Sequence, residues 1–370
     1  MLPALLPDAL PQAVPDALTG VVRAHSGPRD PGPAFEGSRW LTEWTFEPLA
    51  LLGIALAGGL YLLGVRKMHK GTNPWPISRT VSFLTGLGWL LIAVASPLAS
   101  YDTVLFSVHM VQHMMLAMLG PLFLVLGAPI TLALRTLPPR GRALVLTVIH
   151  SRVAAVLTHP VVAGAIFVIN PFVLYFSGLY EQTLEHPWLH DANHIHFVMV
   201  GTLWYSTLLA IDPLPRRPEY PIRVIAVFLT LPFHAWLGVA IMSMSTLIAG
   251  DWYLVMDRPW GASPLSDQKT AGGILWVSGD LIGLVVFAAL FRGWIKDSER
   301  EARREDRRLD RLEAAGGSAG GSAAGGSAAP PPRGRNSGSG RPAPAFGPRA
   351  LKASIRSGEP TSPNDQERSP

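Results

Sequence analysis

The chain has no cysteine and little charge. Without thiols there is no disulfide framework, no thiolate zinc site, no cysteine nucleophile and no all-cysteine iron–sulfur cluster. Any metal must be held by histidine, methionine, carboxylate or backbone groups. Charged residues make up 15% of the 370 residues, against about a quarter in soluble domains, and many of them crowd into the C-terminal segment. Hydrophobic residues make up 48% and the mean hydropathy is +0.27, so the apolar part requires lipid as its solvent. The net charge of +5 in such a chain first reports orientation, and no nucleic-acid partner is read from it.

Long apolar runs are plentiful. A bilayer-crossing helix needs roughly 20 mostly apolar residues, and seven stretches meet that length: 45–64, 80–97, 103–126, 153–177, 188–211, 224–249 and 271–292. The sequence therefore predicts an all-α polytopic membrane protein, a bundle of seven transmembrane helices. Four intervening segments are basic: Arg66, Lys67, Lys70 and Arg79; Arg135, Arg140, Arg142 and Arg152; Arg216, Arg217 and Arg223; Arg292 and Lys296. The alternate loops carry Asp102, then Glu181, Glu185 and Asp191, then Asp251, Asp257 and Asp267. By the positive-inside rule the N-terminus is expected outside and the C-terminus in the cytoplasm of a bacterial plasma membrane. Aromatic anchors Trp40, Trp44, Tyr101, Trp188, Trp252, Tyr253 and Trp260 gather at the outer ends. Four segments follow: an external tail over 1–42, the membrane domain over 43–296, a charged cytoplasmic helix over 297–315, and a Gly/Ser/Ala/Pro tail over 316–370 expected to be disordered.

Ionisable and polar side chains inside a membrane are rare and are candidates for function. The third span reads SVHMVQHMMLAMLGP, with His109 and His113 four residues apart and Met110, Met114, Met115 and Met118 around them. That spacing puts both imidazoles on one helical face, ~9 and ~15 Å below Thr103. The fifth span opens LHDANHIHF, where His190 and His194 form a second such pair and His196 points elsewhere. The sixth holds His234, Met242 and Met244, and the seventh holds Asp280. A lone intramembrane histidine is ordinarily a helix-to-helix hydrogen bond and a methionine in a span is ordinary packing, so His159 is given no role. The doubled HxxxH spacing sets His109, His113, His190 and His194 apart. Together with Met114, Met242, Met244 and Asp280 they form the candidate metal set. Imidazole with thioether and no thiolate suits copper; haem ligation and a proton path use the same residues. Asp280 is open to three readings: protonated, bonded to His or Trp276, or a ligand.

The third-span segment HMVQHMMLAMLGPLFLVLGAPITLALR resembles the CtaG family of cytochrome c oxidase assembly factors, the integral-membrane caa3 type, in its His, its Gln-His pair and its following Gly-x-Pro. HPWLHDANHIHFVMVGTLWY, the IDPLPRRP loop and DQKTAGGILWVSGD support the resemblance, which extends from the second span to the seventh. It implies a multi-pass protein needed to form active haem-copper oxidase, acting in copper delivery or subunit maturation, with oxidase subunits or copper chaperones as partners and no catalytic role. It places the family's histidines on His109, His113, His190 and His194. Asp280 stands where related sequences often have an uncharged residue. The cysteine-bearing, single-span copper chaperone that shares the family's short name is a different protein, and this chain does not resemble it. Copper transport or tolerance is the alternative, with a b-type haem protein behind it. A retinal protein is excluded, since no lysine lies between Ala271 and Phe291.

Overall fold

The computed structural model describes residues 31–37, 44–69, 74–215, 217–256 and 258–321. Of the expected disordered tail over 316–370, residues 316–321 form the end of the last helix and 322–370 lie outside the described residues, as do most of the external tail and Trp40, Lys70, Arg216 and Asp257. Among the described residues all regular structure is helical. Helix α1 covers Pro48–His69, α2 Ile77–Ala95, α3 Pro97–Tyr101 and α4 Phe106–Met114; a π-helical turn over Met115–Leu119 leads into α5, Gly120–Leu126. Then come α6 Pro129–Thr136, α7 Pro139–Ile149, α8 Arg152–Leu157, α9 Pro160–Phe176 and α10 Leu179–Glu185. The last four are α11 Pro187–Leu209, α12 Tyr220–Ser243, α13 Gly250–Val255 and α14 Pro264–Gly321.

Five helical stretches are long and apolar enough to cross a membrane: 48–69, 77–101, 106–136, 220–243 and 264–312. The pair α9 and α10, bent by 68°, makes a sixth if it is one span. The expected count of seven thus needs α11 as well. That helix has the length, 23 residues, but His190, Asp191, Asn193, His194 and His196 make its first half too polar to read as a span on hydropathy. The outward faces elsewhere suit lipid. On α1, Leu49, Leu52, Leu56, Leu60 and Leu63 are all exposed, which only an apolar solvent makes favourable.

The π turn has a local cause. Pro121 has no N–H to give to the carbonyl four residues earlier, that of Ala117, and its ring crowds the same group, so the helix widens by one residue per turn there. The displaced carbonyl meets α11 at Gly201. A β-carbon on Gly201 would stand 2.1 Å from the Ala117 oxygen, a distance no side chain tolerates. Small residues allow similar backbone approaches between α2 and α5 at Gly86 and Gly120, and between α12 and α14 at Gly238 and Gly272.

Gly201→Ala is expected to lower stability in detergent by about 1–3 kcal/mol, the usual cost of overpacking, because the opposing atom is backbone. Gly59→Ala, where a methyl would meet nothing within 4 Å, should leave the melting temperature unchanged or slightly raised. Thermal unfolding of the two variants beside the wild type measures the difference.

Candidate metal centre

Three polar side chains meet at one end of the bundle. Ser96 caps α3, accepting from the Leu98 N–H at 3.2 Å with Pro97 at the first helical position, and this short helix delivers Asp102 into the interior at its C-terminal end. Helix α11 starts after the extended His186, again with proline at its first position, and its i, i+4 spacing puts His190 and His194 on the face that meets Asp102. His190 Nε2 lies 2.9 Å and His194 Nε2 3.8 Å from the same oxygen, Asp102 Oδ2. One ligating atom from each of the three falls within 4.8 Å of the others. Asp102 and His190 are buried; His194 is 13% exposed and is the accessible member.

Neighbouring groups hold this cluster in place. Gln112 donates from Nε2 to the Ala93 carbonyl at 3.0 Å, which turns its Oε1 toward His194 Nε2 at 3.1 Å. Because a carbonyl cannot donate, the amide orientation is fixed, and His194 carries a proton on Nε2 whenever it bonds to Gln112. His109, on α4, is fully buried, with its ring centroid 6.4 Å from that of His190. Its Nε2 meets the Tyr175 hydroxyl at 3.2 Å. Its Nδ1 is buried with no hydrogen-bond partner among the described residues. A buried polar nitrogen left this way costs about 1–3 kcal/mol.

The sequence-derived candidates separate accordingly. His190 and His194 come together and His109 stands next to them. His113 lies one turn deeper, its Nδ1 3.3 Å from the Tyr175 hydroxyl and its ring edge-on to Phe197 at 4.2 Å, so a tyrosine links it to His109. Met110 Sδ is 3.9 Å from the same hydroxyl. Met114 is buried in the main apolar core. Met242 packs against Gly272 of α14, and Met244 sits against the core at the end of α12. Asp280 accepts from Trp276 Nε1 on its own helix at 2.9 Å, which is the second of the three readings it had. His196 pairs with Asn170 Oδ1 at 2.7 Å, and His234 lies against Phe167. None of these six joins the Asp102 cluster. Asp102, Gln112 and Tyr175 are absent from the candidate set read from the sequence: Asp102 reads as an outer-loop charge, Gln112 enters only within the Gln-His pair of the family motif, and Tyr175 is given no role. The useful signal for Asp102 was its position, the one carboxylate between the second and third spans.

Two imidazoles and a carboxylate oxygen, in a dry setting with a further imidazole alongside, form a nitrogen–oxygen donor set suited to a borderline divalent metal such as Cu(II) or Zn(II). The arrangement defines a polytopic helical membrane protein with a buried His/Asp cluster at one end of its bundle. Residues 59–297 match the cytochrome c oxidase caa3 assembly factor family (Caa3_CtaG), and the chain belongs to that family. It is similar to uncharacterized proteins of Mycobacterium bovis and Mycobacterium tuberculosis, 39% identical to each over 273 residues, and to one of Mycobacterium leprae, 37% identical over 271. These alignments take in 71–72% of this chain and 41% of each relative, so the chain spans about two fifths of the length of the curated relatives it matches. No solved structure matches.

Tyr175→Phe removes the hydroxyl shared by His109, His113 and Met110 and leaves the ring in place. It is expected to cost about 1–3 kcal/mol, since two buried imidazole nitrogens lose their partner at once. Unfolding in detergent, with Tyr205→Phe as the comparison, reads this: the Tyr205 hydroxyl has no hydrogen-bond partner among the described residues, so its removal should cost nothing.

Proposed function

We propose that this protein assists maturation of a haem-copper oxidase by taking up a copper ion at Asp102, His190 and His194 and passing it to the nascent oxidase or an intervening copper chaperone. Family membership supports the assembly role. The observation that carries the copper reading is the three-donor cluster with the unpartnered His109 Nδ1 beside it. Copper here is cargo, and the protein's part is to bind and release. Asp102, fully buried, supplies the negative charge that offsets a cation in low dielectric. His190 and His194 supply the nitrogens. Gln112 holds His194 in the metal-free state, and binding through Nε2 requires the other tautomer and breaks that contact; a partly exposed His194 leaves one ligand within reach of an acceptor. Proton displacement from the imidazoles accompanies binding, so affinity should fall as pH drops.

The topology belongs to the same reading. With α11 counted as a span the chain crosses seven times, its basic loops inside and the Asp102 end outside, where copper enters in an oxidising compartment. Contacts at the two ends support this reading. Lys67 reaches the Thr136 carbonyl and Arg217 the Ala210 carbonyl at one end. At the other, Trp252 bonds to the Thr103 carbonyl beside Asp102. Reporter fusions at Gly141 and Gly261 are expected to report inside and outside respectively; the same side for both overturns the seven-span topology.

The copper reading is tested on purified protein and in cells together. Asp102→Asn and His190→Ala/His194→Ala should each weaken Cu(II) binding by at least about tenfold by equilibrium titration, and Asp280→Asn should not change it. Deletion should lower assembled oxidase activity with oxidase transcripts still present, and the Asp102→Asn chain should not restore it. Normal oxidase activity with altered copper tolerance in the deletion strain favours transport instead.

A further inference from the structure

The IDPLPRRP loop takes no part in the metal cluster, yet it is among the most firmly held segments at the other end of the bundle. The Asp212 carboxylate accepts from Thr131 N at 2.7 Å, Thr131 Oγ1 at 2.6 Å and Ile130 N at 3.2 Å, which pins the loop to the first turn of α6. Both residues flanking this junction are alanines in the left-handed region, Ala128 at φ 51° and Ala210 at φ 47°. A β-carbon makes that conformation cost about 1–2 kcal/mol, so the junction is held against strain. Arg217 is tied back to the Ala210 carbonyl at 2.8 Å. Arg135 lies over the Trp75 ring at 5.8 Å, with Arg79 over the same ring at 4.9 Å. Trp75 is itself buried and anchored: its Nε1 donates to the Tyr61 hydroxyl at 2.9 Å, which donates to the Gly127 carbonyl at 2.8 Å.

Between these fixed parts lies a cavity of about 720 Å³, open on one side and bounded by Arg135, Arg142 and Arg217 and by Met68, Leu134 and Leu214. The acid on its wall is Asp212, whose two oxygens are already engaged by α6. None of the three guanidiniums has an ion-pair partner among the described residues. Guanidiniums lining one cavity match phosphate oxygens, which accept two N–H bonds from a fork. The methionine and leucine side chains make half of the wall apolar, which suits a ligand with hydrocarbon next to its phosphate. Basic pockets between helices at the cytoplasmic surface take anionic lipid headgroups by the same logic.

We propose that this cavity binds a phosphate-bearing anionic headgroup, with Arg135, Arg142 and Arg217 holding the phosphate and Met68, Leu134 and Leu214 packing against the adjoining hydrocarbon. A phospholipid and a free phosphate share this chemistry, and the apolar wall favours the lipid. Occupancy would tie α6, the 210–217 loop and α7 together from the membrane side, independently of the metal cluster and of what that cluster carries.

The test uses the full chain in uncharged detergent, stripped of native lipid, and titrated with phosphatidylglycerol, phosphatidylcholine or inorganic phosphate. Native mass spectrometry reads lipid adducts and thermal unfolding reads the shift. Phosphatidylglycerol should bind at least about tenfold more tightly than phosphatidylcholine and raise the melting temperature. Each guanidinium lost should weaken it about fivefold, so R135Q/R142Q/R217Q should weaken it about a hundredfold. R142Q alone, at an exposed side chain with no hydrogen bond among the described residues, should show the fivefold loss without altering the unliganded melting temperature. A shift produced by inorganic phosphate alone, abolished in the same variants, upholds the phosphate chemistry and assigns it to a soluble ligand. Equal binding of both lipids, or full phosphatidylglycerol binding by the triple variant and by R142Q, overturns the proposal.

Discussion

The contact between Gly201 and the Ala117 carbonyl is the constraint on which the site depends. Pro121 frees that carbonyl by withholding a hydrogen bond, the π turn pushes it outward, and only a residue without a β-carbon lets α11 come near enough. Once α11 is seated there, the i, i+4 faces of the two helices are fixed against each other. His190 and His194 lie eleven and seven residues before Gly201, about three and two turns along, opposite Asp102 and Gln112. A displacement that took both histidines away from Asp102 would leave a carboxylate buried without charge compensation, which a membrane interior does not tolerate.

This explains how so polar a helix sits within an apolar bundle. The first half of α11 is too hydrophilic to be read as a span, yet His190 meets Asp102 at the end of α3 and His194 meets Gln112 on α4, while the buried Asn193 Nδ2 has no partner among the described residues. Hydrogen bonds and ionic contacts between spans are individually modest, but the state without them leaves the group unpaired in hydrocarbon. The cluster and the packing therefore support one another: the side chains of the cluster are also what makes α11 compatible with its neighbours. Removing one partner should perturb both, and for that reason Asp102→Asn, which keeps volume and hydrogen-bonding shape, separates charge from packing better than truncation does.

Much of this was legible in the sequence and some was not, for identifiable reasons. Apolar run length marked the five helical stretches, or six with the bent pair, that are long and apolar enough to cross a membrane, because it follows from bilayer thickness. Periodicity put His109 with His113, and His190 with His194, on common faces, because that is a property of one helix. Which faces meet is a property of two helices, and it turned on the Pro121 and Gly201 contact, whose residues carry no chemistry of their own. Hence Asp102 reads as a loop charge and Tyr175 has no role in the sequence reading, and hence Met242, Met244 and Asp280 join the histidines in the candidate set although they pack elsewhere. The family resemblance named histidines but not the carboxylate that joins two of them.

The two ends of the bundle solve opposite electrostatic problems with the same economy. At one end a buried Asp102 is met by imidazoles, neutral groups that become cationic or metal-bound on demand. At the other, guanidiniums that cannot give up their charge are kept in the open, steadied by Trp75 and by backbone carbonyls, while the one carboxylate nearby is spent on capping α6. An acid placed to neutralise them would fold the loop as well; Asp212 instead engages N–H groups and leaves the positive charges unanswered. That choice raises the cost of the unliganded state and lowers it only when an anion arrives, which is how a binding site differs from a salt bridge.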